Sequence, residues 1–378
     1  MGSRRTCARR RAAAALATVL AAVLTAIAAL GGAAPAAAQA RQAAPDSARR
    51  SPWTPPPLFE EDGVLELTIR TDLRSLVADR DSTSRSRHPA TVVLRAADGR
   101  ADTLAARLRT RGHFRRQARI CDFPPLEVDF TRGTRGTPFA RQEELKLVTR
   151  CQTGREEYEQ YVLQEYALYR VLNALTPRSF RARLARVTYE DSGGRHPGLT
   201  TYAFFVEPEK DLARRLGGTV LDARNARLRD LDSAQTHLVA LFQYLAGNTD
   251  WSIPGLHNIV LVQPLTPPSE APAIYPVPYD FDWTGAVNAR YAFPDGRLPI
   301  RFVRQRLYRG YCVRAAELRP AVEHVVARRA AVQAALDSVP GLTPDRRAGM
   351  REYFDDFFRA VSDAGTLQRQ VDVRCVEP

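Results

Sequence analysis

Three carboxylates with neighbouring amides fall close together in this chain: Asn248-Thr249-Asp250-Trp251, then His257-Asn258, then Tyr279-Asp280-Phe281-Asp282-Trp283. They lie among apolar and aromatic residues, not in a solvated acidic run. Asp, then Asn, then Asp is a set that phosphoryl transfer uses. Asp250 would orient a hydroxyl, while the amide of Asn258 and the carboxylate of Asp280 would hold Mg²⁺ against phosphates. Asp280 and Asp282 flank a single Phe and point the same way if the segment is extended. Two carboxylates on one face repel unless a cation or protons intervene, which favours a metal at the pair. Buried Arg is the other available partner, and the chain has plenty. Asp250 has a structural alternative, accepting backbone N–H bonds in a turn. His257 is a base, a ligand, or a hydrogen-bonded loop residue.

A second feature is the scarcity of lysine. Of the 55 Lys and Arg residues, only Lys146 and Lys210 are Lys. A Lys kept inside Leu145-Lys146-Leu147-Val148 has two readings. Either its compact ammonium reaches a phosphate where a planar guanidinium would not fit, or it sits on the solvent face of an edge strand. No G-x-x-x-x-G-K-[ST] loop, strand-linked G-x-G-x-x-G or H-E-x-x-H motif occurs.

The elements that would position these residues divide the chain. Strand patterns run over 65–70, 91–94, 104–109, 126–130 and 145–149, with a turn at Asp98-Gly99 making the second and third a hairpin. Between them lies the basic turn Arg109-Thr110-Arg111-Gly112-His113-Phe114-Arg115-Arg116. Apolar residues recur at helical spacing over 156–175 until Pro177. A hairpin follows over 187–189 and 200–206. Asp232 or Ser233 caps a helix that runs to Ala246 and ends at Gly247. Residues 258–262 read as a short strand, and 264–278, with six prolines, as a loop. The tail reads as two helices, 315–336 and 343–361. A β-rich half followed by a mostly helical half predicts an α+β, two-lobed layout.

The N-terminus reads as a targeting segment. A basic stretch, an Ala/Leu/Val run and Ala38-Gln39-Ala40 describe a secretory signal over 1–40, and 41–60 is a Pro-rich linker. Losing the five Arg of that signal takes the formal charge from +13 to +8. The expected location is therefore exported, periplasmic or extracellular. No later segment is apolar enough to span a bilayer. No basic tract interleaves with aromatics, so nucleic acid is not an expected partner. Four cysteines remain, and an even count in an exported chain suggests disulfides. The nearest pairing is Cys121–Cys151 with Cys312–Cys375, one of three arrangements. Zinc is disfavoured because no CxxC pair occurs.

The order Arg111-Gly112, strand Lys146, helix Glu165, Asn248-Thr249-Asp250-Trp251, His257-Asn258 and Asp280-Phe281-Asp282 resembles the CotH-type atypical protein kinases over roughly residues 62–310. The resemblance implies a protein-kinase-like fold over 61–378, with a β-rich N-lobe over about 61–206 and a mainly helical C-lobe over about 207–378. It also implies ATP with Mg²⁺ or Mn²⁺. Asp250 would accept the substrate hydroxyl proton. Asn258 and Asp280 would bind metal, with Asp282 as a second ligand, and Arg111 and Gly112 would lie near the phosphates. In a kinase, a Lys146–Glu165 pair would hold the Lys against the phosphates. The family's basic residue after the Arg-Gly turn is an Arg here, Arg116 or Arg119. The expected function is phosphate transfer from ATP to a protein or glycan hydroxyl. The alternative is a catalytically degenerate, kinase-like envelope protein that binds an anionic ligand.

Overall fold

The computed structural model describes residues 53–95, 99–265 and 273–377. The expected signal peptide and most of the linker lie outside the described residues.

Alternating residues in the first half build a barrel. Its strands are β1 (Leu65–Thr71), β2 (His88–Arg95), β3 (Ala101–Thr110), β4 (Leu126–Arg132), β5 (Glu144–Val148), β6 (Ala182–Asp191) and β7 (Leu199–Val206), in the order β1-β2-β3-β4-β5-β7-β6. β1 then pairs with β6 in parallel, Leu67 opposite Val187, and this closes the sheet on itself. Inward residues such as Leu67, Ile69, Leu104, Leu108, Val128, Leu147, Val187 and Phe205 fill the barrel. Each contributes roughly 1.5–3 kcal/mol by leaving water. A short helix, α1 (Leu73–Ala78), follows β1.

The other elements pack outside the barrel. α2 (Glu157–Leu175) lies between β5 and β6 in sequence and is buried on nearly every face. Such all-round burial marks a helix at the centre of a core. After β7 come α3 (Glu209–Arg215), β8 (Gly218–Leu221), α4 (Ser233–Ala246), β9 (Ile259–Pro264) and β10 (Tyr275–Pro278). The tail is α5 (Ala315–Ala327), α6 (Arg329–Asp337), α7 (Pro344–Val361) and α8 (Ala364–Arg374). The second core is one continuous cluster. It joins outward-facing Val148, Leu184 and Phe204 of the barrel to α2, α4 and the tail helices.

The architecture is α+β, but it is not the expected two-lobed kinase-like fold. The parallel β1–β6 pairing makes a closed seven-stranded barrel instead of an open sheet. The shared second core leaves no division into β and helical lobes at residue 206, and residues 52–378 form one compact unit. Smaller differences have local causes. β10 falls in the segment expected to be a loop. Its Pro276 and Pro278 are tolerated because it is the edge strand of the sheet β10-β9-β8. The Ala-rich tail helix breaks at Arg328 into α5 and α6, and α8 was not expected.

The cysteines pair as Cys121–Cys151 and Cys312–Cys375. Two disulfides fit a chain that matures outside a reducing cytoplasm. Among the described residues no helix is long and apolar enough to cross a membrane.

Candidate functional site

The acidic residues are brought together by two chain reversals. The first is the end of α4, where Gly247 adopts φ +66° and its N–H returns to Gln243 and Tyr244 carbonyls. Fully buried Asn248 locks this turn. Its Nδ2 donates to Gln243 Oε1 at 3.0 Å, and its Oδ1 accepts from the Asp250 N–H at 2.9 Å. Asp250 is thereby projected from the helix end. The second reversal is the antiparallel β9–β10 pair, with Ile259 opposite Pro278. That register sets the residue before β9 beside the residues after β10, and the Tyr279 N–H donates to the Asn258 carbonyl at 3.1 Å. Asn258 and Asp280 become neighbours although the sequence separates them by a proline-rich segment.

Asp250 is half-buried and well partnered. His257 Nε2 lies 2.8 Å from its Oδ1. Asn258 Nδ2 donates to its Oδ2 at 3.2 Å and to its carbonyl at 2.8 Å. The bond to Asp250 raises the His257 pKa, against the lowering effect of burial. Arg309 donates to the Thr249 carbonyl next door. Asn258 and Asp280 both hold left-handed backbone, φ +52° and +63°. Such conformations cost about 1–3 kcal/mol each and persist only where neighbours over-determine them.

α2 supplies the other wall. Gln164 Nε2 donates to the Ala286 carbonyl at 3.0 Å. Tyr169 Oη accepts the Asp280 N–H at 3.0 Å. Glu165 lies one turn before Tyr169, so both face the 280–286 segment. Glu165 and Asp282 are buried, and their side chains are 2% and 6% exposed. Arg115, itself buried, bridges them: its Nη1 is 3.4 Å from Asp282 and 4.0 Å from Glu165. Its Nη2 donates to the Thr149 carbonyl at 2.6 Å. Tyr291 Oη donates to Asp282 at 3.0 Å. Burial, then the negative charge of Asp280, pushes the Asp282 pKa up to about 7. Burial, then Asp282 and Asp280, pushes Glu165 well above the usual carboxylate range. Burial opposes the charge on Arg115, but Tyr291, Asp282, Glu165 and Asp280 together hold it more firmly charged than an ordinary Arg. Three acids therefore crowd one guanidinium, and Glu165 Oε1 is buried without a hydrogen-bond partner.

Asp250, Glu165, Asn258, Asp280 and Asp282 thus share one neighbourhood. Lys146 does not pair with Glu165. Leu145 and Leu147 point into the barrel, which sends Lys146 to the outer face opposite Val206. There its Nζ meets Glu209 at the start of α3 at 2.8 Å and lies 5.2 Å from the Tyr279 ring centre. The basic partner of Glu165 is Arg115, not the expected Lys146, and of the arginines after the Arg-Gly turn neither Arg116 nor Arg119 reaches it. Arg116 bonds instead to the carbonyls of Asp81 and Thr110, and Arg119 to Gln117. Arg111 sits close enough to Tyr169 and Tyr279 to influence both, and among the described residues its side chain has no hydrogen-bond or ion-pair partner. Exposed Gly112 takes φ +84°, which turns the chain between Arg111 and Arg115. Tyr169, Tyr291 and Arg115 carry no motif signal. Arg115 stands in a run of basic residues whose spacing does not mark which one turns inward.

Two openings adjoin this neighbourhood, one through Asp250 and His257 and the other through Tyr279. A cleft of about 790 Å³ is lined by Asp250, His257, Trp283, Phe293, Arg297 and Arg309. A smaller one of about 310 Å³ is mostly apolar and is lined by Leu221, Leu256, Ile259, Leu261, Tyr279 and Glu209.

No protein-family model matches the chain, and no curated protein matches it.

Proposed function

We propose that the protein is an exported enzyme that transfers the terminal phosphoryl group of ATP to a hydroxyl, using Mg²⁺ or Mn²⁺. The observation that carries this reading is the crowding of Glu165, Asp280 and Asp282 beside Asp250, with two clefts adjoining. One guanidinium serves three acids, the raised pKa values of Glu165 and Asp282 mark carboxyls that hold protons where a cation would displace them, and Glu165 Oε1 has no hydrogen-bond partner. Among the described residues no three acidic, His or Cys side chains are placed to hold a metal ion by themselves. Mg²⁺ seldom uses an all-protein cage; it takes one or two carboxylates, with waters and phosphates completing the shell. Asp280 and Asp282, with the amide of Asn258, would hold the ion, which neutralises phosphate charge when bound.

The chain's own residues divide the remaining work. The apolar slot beside Tyr279 suits the base of a nucleotide. Unpaired Arg111 near Asp280 suits a phosphate oxygen through its fork. On the other side, Asp250 accepts the proton of the acceptor hydroxyl. The acceptor oxygen forms a bond to the terminal phosphorus, and the bridging oxygen of the leaving diphosphate takes the electron pair of the broken bond. His257 holds the Asp250 carboxylate in place through the bond at 2.8 Å.

A second reading, anionic-ligand binding without turnover, is favoured by the Lys146–Glu209 pair, which turns the strand lysine away from the acids. One measurement separates them. ATP binding by the oxidised protein is titrated calorimetrically with Mg²⁺, with Mn²⁺ and with chelator, for wild type and Asp280→Ala. Metal-dependent binding, lost in the variant and followed by phosphate transfer, supports the enzyme. Binding without transfer supports the second reading, and no binding with either metal sinks both nucleotide readings.

A further inference from the structure

The larger cleft has a composition that the transfer chemistry does not require. Trp283 and Phe293 stand with ring centres 4.8 Å apart, and Phe114 braces both from behind, at 5.0 Å from Trp283 and 6.0 Å from Phe293. Phe114 meets both edge to face, at 81° and 68°, and Trp283 and Phe293 are tilted 58° to each other, so the rings brace one another without being coplanar. Phe293 is nevertheless 56% exposed, one of few large apolar side chains left in solvent among the described residues. An exposed aromatic held rigid at a cleft mouth is a contact surface waiting for a flat apolar face. At the rim, Asp295 and Arg297 form a mutual fork, both well exposed, with Arg297 Nε 3.0 Å from Asp295 Oδ1. Arg309 lines the same cleft. The Asp250–His257 pair lies on its floor, with the two side chains 39% and 57% exposed.

From these braced rings, this charged pair and this base we infer that the acceptor is a glycan, bound by stacking a sugar ring on the exposed Phe293 with Trp283 beside it. A pyranose offers a flat C–H face to the Phe293 ring, vicinal hydroxyls to the exposed Asp295–Arg297 pair, and a hydroxyl to Asp250. A Ser or Thr side chain has no flat face. A Tyr phenol stacks but brings one hydroxyl, too few to reach both the rim pair and Asp250. A few well-placed polar groups around an aromatic floor are how small-ligand sites fix orientation. The inference rests on the phosphoryl-transfer reading only in giving Asp250 the acceptor's proton; the stacking site itself does not depend on it.

The test uses intrinsic tryptophan fluorescence of the oxidised protein, because Trp283 is in the cleft. Maltotriose, cellotriose and chitotriose are titrated into wild type, Phe293→Ala and Asp280→Ala, with N-acetyltyrosinamide as the competing probe. The expected result is a saturable change with at least one trisaccharide, weakened about tenfold in Phe293→Ala. Asp280→Ala keeps the sugar affinity while metal-dependent ATP binding is lost, so the two readings fail separately. Because Phe293 is exposed, the variant folds, and unchanged circular dichroism and melting confirm it. No saturable response to any trisaccharide overturns the inference. So does an unchanged affinity in Phe293→Ala, or saturable binding of the tyrosine probe in place of the sugars.

Discussion

Replacing Arg115 with Met keeps most of the side-chain volume and removes the one cation between Glu165 and Asp282. The variant loses the bond to the Thr149 carbonyl and the ion pairs to both acids. Breaking a buried pair by deleting one partner costs about 3–5 kcal/mol when the other stays charged. Here the acids can escape by keeping their protons, so the cost depends on pH. In wild type the folded Asp282 pKa is raised to about 7, from 3.8 in the unfolded chain. A raised folded pKa gives stability that is fully present below the unfolded value and is lost as pH rises through the folded one. In wild type that loss through Asp282 is complete just above pH 7. Without Arg115 the folded pKa moves higher, so the variant keeps losing about 1.4 kcal/mol per pH unit after wild type has stopped. The deficit of Arg115→Met is therefore about 1–3 kcal/mol at pH 6, mainly the orphaned carbonyl, and grows by about 2–3 kcal/mol by pH 9. Urea unfolding of both proteins, oxidised and in chelator, at pH 6, 7, 8 and 9 measures it. An equal deficit at pH 6 and pH 9 would refute the charge argument and leave Arg115 as packing only.

Two further outcomes follow from the geometry. A Cβ on Gly247 would collide with the Tyr353 hydroxyl, and the residue also needs φ +66°. Gly247→Ala should therefore cost more than about 2 kcal/mol, and Tyr353→Phe in the same chain should recover part of it; strict additivity of the two changes in denaturant melts would contradict the contact. His257 should titrate above the free-histidine value of 6.5, because Asp250 holds its charged form. In Asp250→Asn the ring resonances should shift back towards 6.5, and an unmoved midpoint in NMR titration would remove Asp250 as the cause.

What the sequence revealed followed the range of the interactions involved. α2 was legible because Tyr161, Val162, Leu168 and Leu172 repeat at helical spacing, and α4 because Asp232 and Gly247 punctuate it. Barrel closure was not legible. The β1–β6 pairing joins residues more than a hundred positions apart, and an inward-facing strand in an open sheet shows the same alternation as one in a barrel. In the site, Asp250, Asn258, Asp280 and Asp282 stood out because their residue types are costly among apolar neighbours. Lys146 misled because spacing along the chain says nothing of register. Opposite Val206, it lies three residues short of Glu209 and meets that residue instead of Glu165. Arg115 was hidden for the converse reason: a coil has no period, so nothing separates it from Arg111 or Arg116.

The backbone itself argues that the acidic cluster is built for a purpose beyond stability. Six non-glycine residues among those described have positive φ, and three of them, Leu256, Asn258 and Asp280, surround the same carboxylates. At about 1–3 kcal/mol each, that strain is a sizeable fraction of a typical folding free energy. It is sustained because each residue is held: Leu256 through its N–H to the Ile253 carbonyl, Asn258 by Asp250, Asp280 by the Tyr169 hydroxyl, and the last two to each other through the Tyr279 N–H. Burying Glu165 and Asp282 together adds a second cost, one that apolar side chains of similar size would avoid. A chain needing only a stable core at this junction of α2, α4 and the β9–β10 turn would have no use for either. Strain and buried like charge converging on one point, with two clefts adjoining, are accounted for if the point holds a ligand that brings positive charge with it.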